Sequence, residues 1–69
     1  MGMVYKVDVL KALQESGYST YRLRKERLLS ESTIHKLRYG IGVSWDNIET
    51  ICRLIGCQPG DILEYVEEE

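Results

Sequence analysis

Two hydroxyl caps set close together constrain this chain more than any other feature. Ser19 or Thr20 precedes the run that carries Leu23, and Ser30 precedes the run that carries Ile34 and Leu37. A Ser or Thr side chain at such a point accepts a hydrogen bond from the free backbone N–H groups of a helix's first turn, so two helix starts are marked. Only Arg27, Leu28 and Leu29 remain for the turn between them. Helices joined that tightly cross at a steep angle and are held by apolar residues facing the crossing. Leu23, Leu29, Ile34 and Leu37 are the residues available for that contact.

With that inward set assigned, the helical period leaves Glu31, Ser32, His35 and Lys36 pointing outward from the second helix. A short helix pair with a free outer face on its second member is the layout of a helix-turn-helix that offers this helix to the DNA major groove. Overall charge argues the other way, since the 69 residues carry a formal net charge of −2 and a pI near 5.4. The distribution matters more than the sum. From Thr20 to Gly40 there are six basic residues (Arg22, Arg24, Lys25, Arg27, Lys36 and Arg38) against Glu26 and Glu31, a local net of +4. The remainder of the chain therefore carries −6, with Asp61, Glu64, Glu67, Glu68 and Glu69 prominent in it. Such polarity turns one face toward phosphates and keeps the other away.

The rest of the chain reads as support for this motif. Met1 to Val4 carries no strong structural signal. A first helix is expected from Lys6 to Ser16, because Val9, Leu10 and Leu13 share a face, and Gly17 stops it. Tyr18 is expected at the edge of the core. Gly40 and Gly42 either let backbone N–H groups approach a phosphate or simply turn the chain. Ser44 caps a helix from Trp45 to about Leu54, whose apolar face collects Trp45, Ile48, Cys52 and Ile55, broadened by Ile51 and Leu54. Gly56 ends it. Gln58-Pro59 opens a short fifth helix, proline being suited to a first helical turn. Ile62 and Leu63 are expected to close the core, with the acidic tail fraying into solvent. The expectation is one all-α domain over residues 1–69, with five helices and the motif at about 19–40.

The residues Ser19, Leu23, Leu29-Ser30, Ser32-Thr33-Ile34, Leu37 and Gly40 resemble the phage-repressor family of helix-turn-helix regulators, the Cro-like or XRE-type proteins with a lambda-repressor-like fold. The resemblance continues through V-S-W-D-N-I-E-T-I-C-R-L-I-G-C-Q-P-G-D-I-L-E-Y and covers nearly the whole chain. Two positions depart from the family pattern. Arg24 stands where a small Ala is common, placing a long charged chain where helices touch. Leu28 stands where Gly is common, asking a residue with a Cβ to take the turn. The resemblance implies sequence-specific binding of double-stranded DNA by a small transcriptional regulator. Glu31, Ser32 and Lys36 match the base-reading positions. Thr20, Tyr21, Arg22, Arg38 and Tyr39 flank the groove as phosphate contacts that orient the protein without reading sequence.

Each of these has a plainer alternative. Glu31 accepts from a cytosine amino group or merely complements the helix dipole. Ser32 bonds a base or a phosphate. Lys36 reaches guanine acceptors, the DNA backbone or only water. His35 is grouped with the base-reading set, with solvent or a phosphate as its alternatives. Thr33 supports the turn from within. Cys52 and Cys57 lack the spacing of a metal-binding pair, and His35 is the only histidine, so they read as buried structural thiols with no metal or cofactor. With no paired nucleophile and base, no catalysis is expected. No apolar run approaches a membrane span and no signal peptide is evident, which makes a cytoplasmic location the expectation.

One recognition helix reads too few base pairs to select a genomic site, so a second copy on the DNA or a partner protein is required. A homodimer, formed on DNA or before it, would pair through the segment around Tyr5 or the last helix around Ile62 and Tyr65. No small-molecule effector is expected. The rival to a DNA-binding regulator is a protein-interaction module of the same fold, an adaptor or antitoxin component whose acidic surface serves a partner.

Overall fold

The computed structural model describes residues 2–67 and contains five helices and two short strands. In chain order these are β1 (Gly2–Tyr5), α1 (Val9–Glu15), α2 (Thr20–Lys25), α3 (Glu31–Arg38), α4 (Trp45–Ile55), α5 (Pro59–Ile62) and β2 (Leu63–Val66). The strands pair antiparallel, with Gly2 opposite Val66, Met3 opposite Tyr65, Val4 opposite Glu64 and Tyr5 opposite Leu63. An all-α reading is therefore corrected to a helical domain with a two-stranded sheet joining its two ends. Leu63 to Val66 does not fray, because its backbone groups are taken up by β1. The outermost residues of the acidic tail, Glu68 and Glu69, lie outside the described residues.

The sheet also explains why α1 starts late. The Lys6 N–H bonds the Ile62 carbonyl at 2.9 Å, continuing the pairing of the two chain ends. The helix begins only after Asp8, whose carboxylate accepts from the Lys11 N–H at 3.1 Å. Caps set the next three helices as the hydroxyls suggest. Ser19, Ser30 and Ser44 accept from the N–H groups of Arg22, Thr33 and Asn47 at 3.2, 3.1 and 3.3 Å. Asp61 closes the start of α5 by accepting from the Gln58 N–H at 2.8 Å.

Helices α1 to α4 end by one device, a left-handed residue followed by an N–H that reaches back five positions. The returning bonds run from Tyr18 to Leu13, Leu28 to Leu23, Ile41 to Lys36 and Cys57 to Cys52. The left-handed residues are Gly17, Arg27, Gly40 and Gly56. Three are glycines, as the conformation favours. The fourth is Arg27, at φ 55°. The strain in the central turn thus falls on Arg27 and not on Leu28, whose side chain is instead half-buried against the core.

Val9 and Leu13 of α1, Leu23 of α2, Leu29 of the turn, Ile34 and Leu37 of α3, Ile51 of α4 and Ile62 of α5 form one buried cluster. Tyr18 packs at its edge. The stripe on α4 was expected to include Trp45, but Trp45 is 87% exposed. Ile48 and Ile51 sit over the core, whereas Trp45, a turn earlier, runs past its end. Ile62 is 2% exposed, and Tyr65, 57% exposed, belongs to β2 and not to the last helix.

Candidate nucleic-acid interface

Helix α3 buries Thr33, Ile34 and Leu37 and exposes Glu31, Ser32, His35 and Lys36. Its position is fixed by more than apolar contact. The Thr33 hydroxyl, buried beneath the helix start, accepts from Ser30 Oγ at 3.0 Å and from Asn47 Nδ2 at 2.9 Å. Asn47 thus pins the beginning of α3 to the beginning of α4, a role the sequence reading did not assign. Its signal was slight, a single amide three residues after a capping Ser. Thr33 itself supports the motif from within, as expected.

At the solvent side of the same end, Arg24 Nη1 lies 3.2 Å from Glu31 Oε1. Arg24 therefore does not intrude between the helices. Leu23 takes the buried position on α2, and the next residue is turned outward, where its guanidinium spans the turn to α3. Both partners are substantially exposed, so the pair adds little stability. Its consequence for the site is that the Glu31 carboxylate already faces a cation and the N-terminal end of α3.

The flanking residues separate into two groups. Thr20 of α2 and Arg38 of α3 meet in one cleft, which Leu10, Lys11 and Gln14 of α1 and the capping residues Asp8 and Ser19 also line. Lys11 and Gln14 were not among the expected site residues, because nothing local to α1 reveals that it packs beside α3. Tyr21 and Tyr39 are 65% and 66% exposed. The Tyr39 ring lies 4.7 Å from that of His35, and Lys25 sits over Tyr21 at 5.7 Å.

Arg22 is differently placed. Its Nε donates to Glu26, its Nη1 donates to the Gly17 carbonyl at 2.9 Å, and the guanidinium stacks 4.6 Å from the Tyr18 ring centre. The hydrogen bond and charge of Glu26 raise its already high pKa further. These ties make Arg22 a brace for the corner between α1 and α2.

The loop after α3 shows what its first glycine does. Gly40 takes φ 72°, its N–H bonds Leu37 and the next N–H bonds Lys36, so both groups are spent in closing the helix. Cys52 and Cys57 are free and only half-buried, not fully buried as expected. Burial and the neighbouring Cys52 push the Cys57 thiol above its ordinary pKa. Among the described residues there is no group of three or more His, Cys, Asp or Glu side chains placed to hold a metal. No described helix is long and apolar enough to cross a membrane.

No solved structure shows a significant match. A curated relative, the uncharacterized HTH-type transcriptional regulator YozG of Bacillus subtilis (strain 168), is 29% identical over 69 residues, a span that is 100% of this chain and 82% of the relative. The sequence profile of the Cro/C1-type HTH DNA-binding domain matches residues 9–68, a span that takes in all five helices and β2. The chain therefore belongs to the Cro/C1-type helix-turn-helix DNA-binding domain family.

Proposed function

We propose that this protein is a transcriptional regulator that binds double-stranded DNA by laying α3 in the major groove, with base contacts from Glu31, Ser32, His35 and Lys36. The observation that carries this reading is the division of α3 itself. Its inner face is held by Ile34, Leu37 and the doubly bonded Thr33 hydroxyl, while the outer four side chains are exposed. A rigid helix with a polar, uncovered face is suited to present donors and acceptors to base edges. Lys36 reads guanine acceptors. Glu31 accepts from cytosine when the base competes successfully with Arg24.

Thr20, Arg38, Tyr21 and Tyr39 position the duplex through phosphates, joined by Lys11 and Gln14 from the shared cleft. Arg22 contributes mainly by holding the α1–α2 corner. Two copies occupy a palindromic site with α3 helices in successive major grooves, about 34 Å apart. The description of the Bacillus subtilis relative as a transcriptional regulator supports the same role.

The test is binding to random-sequence duplex as salt is raised. Lys11 and Arg38, joined by Lys36 where it meets no guanine, neutralise two or three phosphates per copy and give a slope of about −2 to −3 in log K against log salt. A protein-interaction module shows negligible duplex affinity at every salt concentration, and that result would remove the DNA reading.

A further inference from the structure

We infer that the open face between the two-stranded sheet and the start of α4 is the contact surface for a second copy of this chain, related by a two-fold axis. This deepens the DNA-binding reading by naming where its two copies meet, and it rests on that reading only for the role of the dimer.

The sheet supplies the first observation. Tyr5 and Leu63 are cross-strand partners, both half-buried against the core, so their face of the sheet points inward. Strand side chains alternate, so Met3 and its partner Tyr65 share that face. They lie one step beyond the core and are 64% and 57% exposed. The inward face of the sheet thus continues past the buried core at Met3 and Tyr65.

Trp45 supplies the second. It stands 87% exposed and is one of the residues lining a cavity of about 220 Å³, with Met3, Tyr5, Val43, Ile48 and Leu63 among the others. No charged side chain lines this cavity. It is smaller than the roughly 300–1,000 Å³ of ordinary small-molecule sites, so a single protruding side chain suits it better than an effector. The rim carries such a side chain. A projecting indole beside an apolar recess is self-complementary, since under two-fold symmetry each copy inserts Trp45 into the recess of the other. An uncharged lining also leaves the recess itself free of like-charge repulsion.

Area sets the strength. Trp45, Met3, Tyr65 and the nearby Ile41, 48% exposed, present on the order of 500 Å² of surface per copy. The two copies together would bury about 1,000 Å², at the low end for specific interfaces. Pairing is therefore weak in free solution and strengthened on DNA, where a bound neighbour has a millimolar effective concentration. Gly40 and Gly42 also line the recess, immediately after α3, so the two-fold axis lies beside the C-terminal ends of both recognition helices.

The chain has a single Trp, so its emission reports this face directly. The full chain is examined by sedimentation equilibrium and Trp emission from about 10 μM to about 1 mM, a range that covers weak association. Cooperative binding is then measured on a duplex carrying two half-sites chosen from a random pool, with Trp45→Glu and Met3→Glu as variants. Trp45 and Met3 are exposed, so both variants fold, which a thermal melt checks. The expected results are a dimer whose formation blue-shifts Trp45, or cooperative two-site binding that drops about tenfold in Trp45→Glu and Met3→Glu while single half-site affinity holds.

A dimer with unchanged emission, or one indifferent to both variants, places the interface elsewhere and overturns the inference. So does a blue shift at constant monomer mass, which means the recess takes something other than a second copy. Monomer at every concentration together with non-cooperative DNA binding also overturns it. Absence of DNA binding with an intact Trp45-dependent dimer sinks the DNA reading and leaves the interface standing.

Discussion

Replacing Arg27 with glycine should make the domain more stable, even though it removes a long side chain from the turn at the centre of the motif. Arg27 is the left-handed residue in the closure of α2, where its own N–H bonds Arg24 and the next N–H bonds Leu23. A side chain in that conformation costs about 1–2 kcal/mol, which glycine does not incur. Glycine's greater freedom in the unfolded chain returns about 0.4–1 kcal/mol of that gain. The net stabilisation is about 0.5–1 kcal/mol, and at about 4–8 °C per kcal/mol in a domain of this size the melting temperature rises by roughly 2–8 °C. Arg27→Ala is the control, since it removes the charge and keeps the strained Cβ. Urea unfolding of the three proteins, with a common m-value, measures the difference. If Arg27→Gly is no more stable than Arg27→Ala, the strain assigned to this turn is wrong.

Thr33→Val removes the acceptor shared by Ser30 and Asn47 and should cost about 1–3 kcal/mol, mostly from the stranded Asn47 amide. Adding Asn47→Ala should cost less than the sum of the single changes, which a double-mutant cycle by urea unfolding detects. Leu37→Ala, at a site 6% exposed, should destabilise by about 2–5 kcal/mol in the same assay, and any loss of DNA binding should follow unfolding. Arg38→Ala should leave the melting temperature nearly unchanged and weaken binding to all duplexes alike, as titration on selected and random sequences would show.

Stability should also fall at alkaline pH. Burial raises the pKa of both the Cys57 thiol and the Tyr5 hydroxyl, which donates to the Ile41 carbonyl at 2.9 Å. The folded state therefore holds these protons more tightly than the unfolded chain. Their contribution is complete below about pH 8.5 for the thiol and about pH 10 for the phenol, and is lost as pH rises through the folded values. Urea midpoints against pH should show this decline, and Cys57→Ser should flatten its lower part.

What the sequence revealed depended on how local each signal was. Ser19, Ser30 and Ser44 announce helix starts within three residues of themselves, and Gly17 and Gly56 announce ends, so those boundaries could be placed in advance. Leu23, Leu29, Ile34 and Leu37 were legible because one crossing must bury all of them, and the outward placement of Glu31, Ser32, His35 and Lys36 follows from the same period. The sheet was not legible, because each strand has four residues and its partner lies at the other end of the chain. Without that pairing, Lys6 looked helical and Leu63 to Val66 looked like part of a tail. Trp45 followed the stripe of α4, but periodicity assigns a direction and not the point at which the core stops. The cleft that joins Lys11 and Gln14 to Thr20 and Arg38 depends on the packing of α1 beside α3. The charge of Arg22 is visible in sequence, whereas its bonds to Glu26 and Gly17 and its stacking on Tyr18 are not.

The central claim is that the outer face of α3 reads base pairs, and Lys36 tests it most directly because it is exposed and its side chain enters no hydrogen bond or ion pair among the described residues. Binding of the parent and Lys36→Ala proteins is measured on a duplex selected from a random pool and on random duplex, at one salt concentration, after their melting temperatures are shown to agree. The account predicts a loss of about 1–3 kcal/mol on the selected duplex and a clearly smaller loss on random DNA. Equal losses on both would reduce Lys36 to a phosphate contact, and no loss on either would take this face of α3 out of the groove.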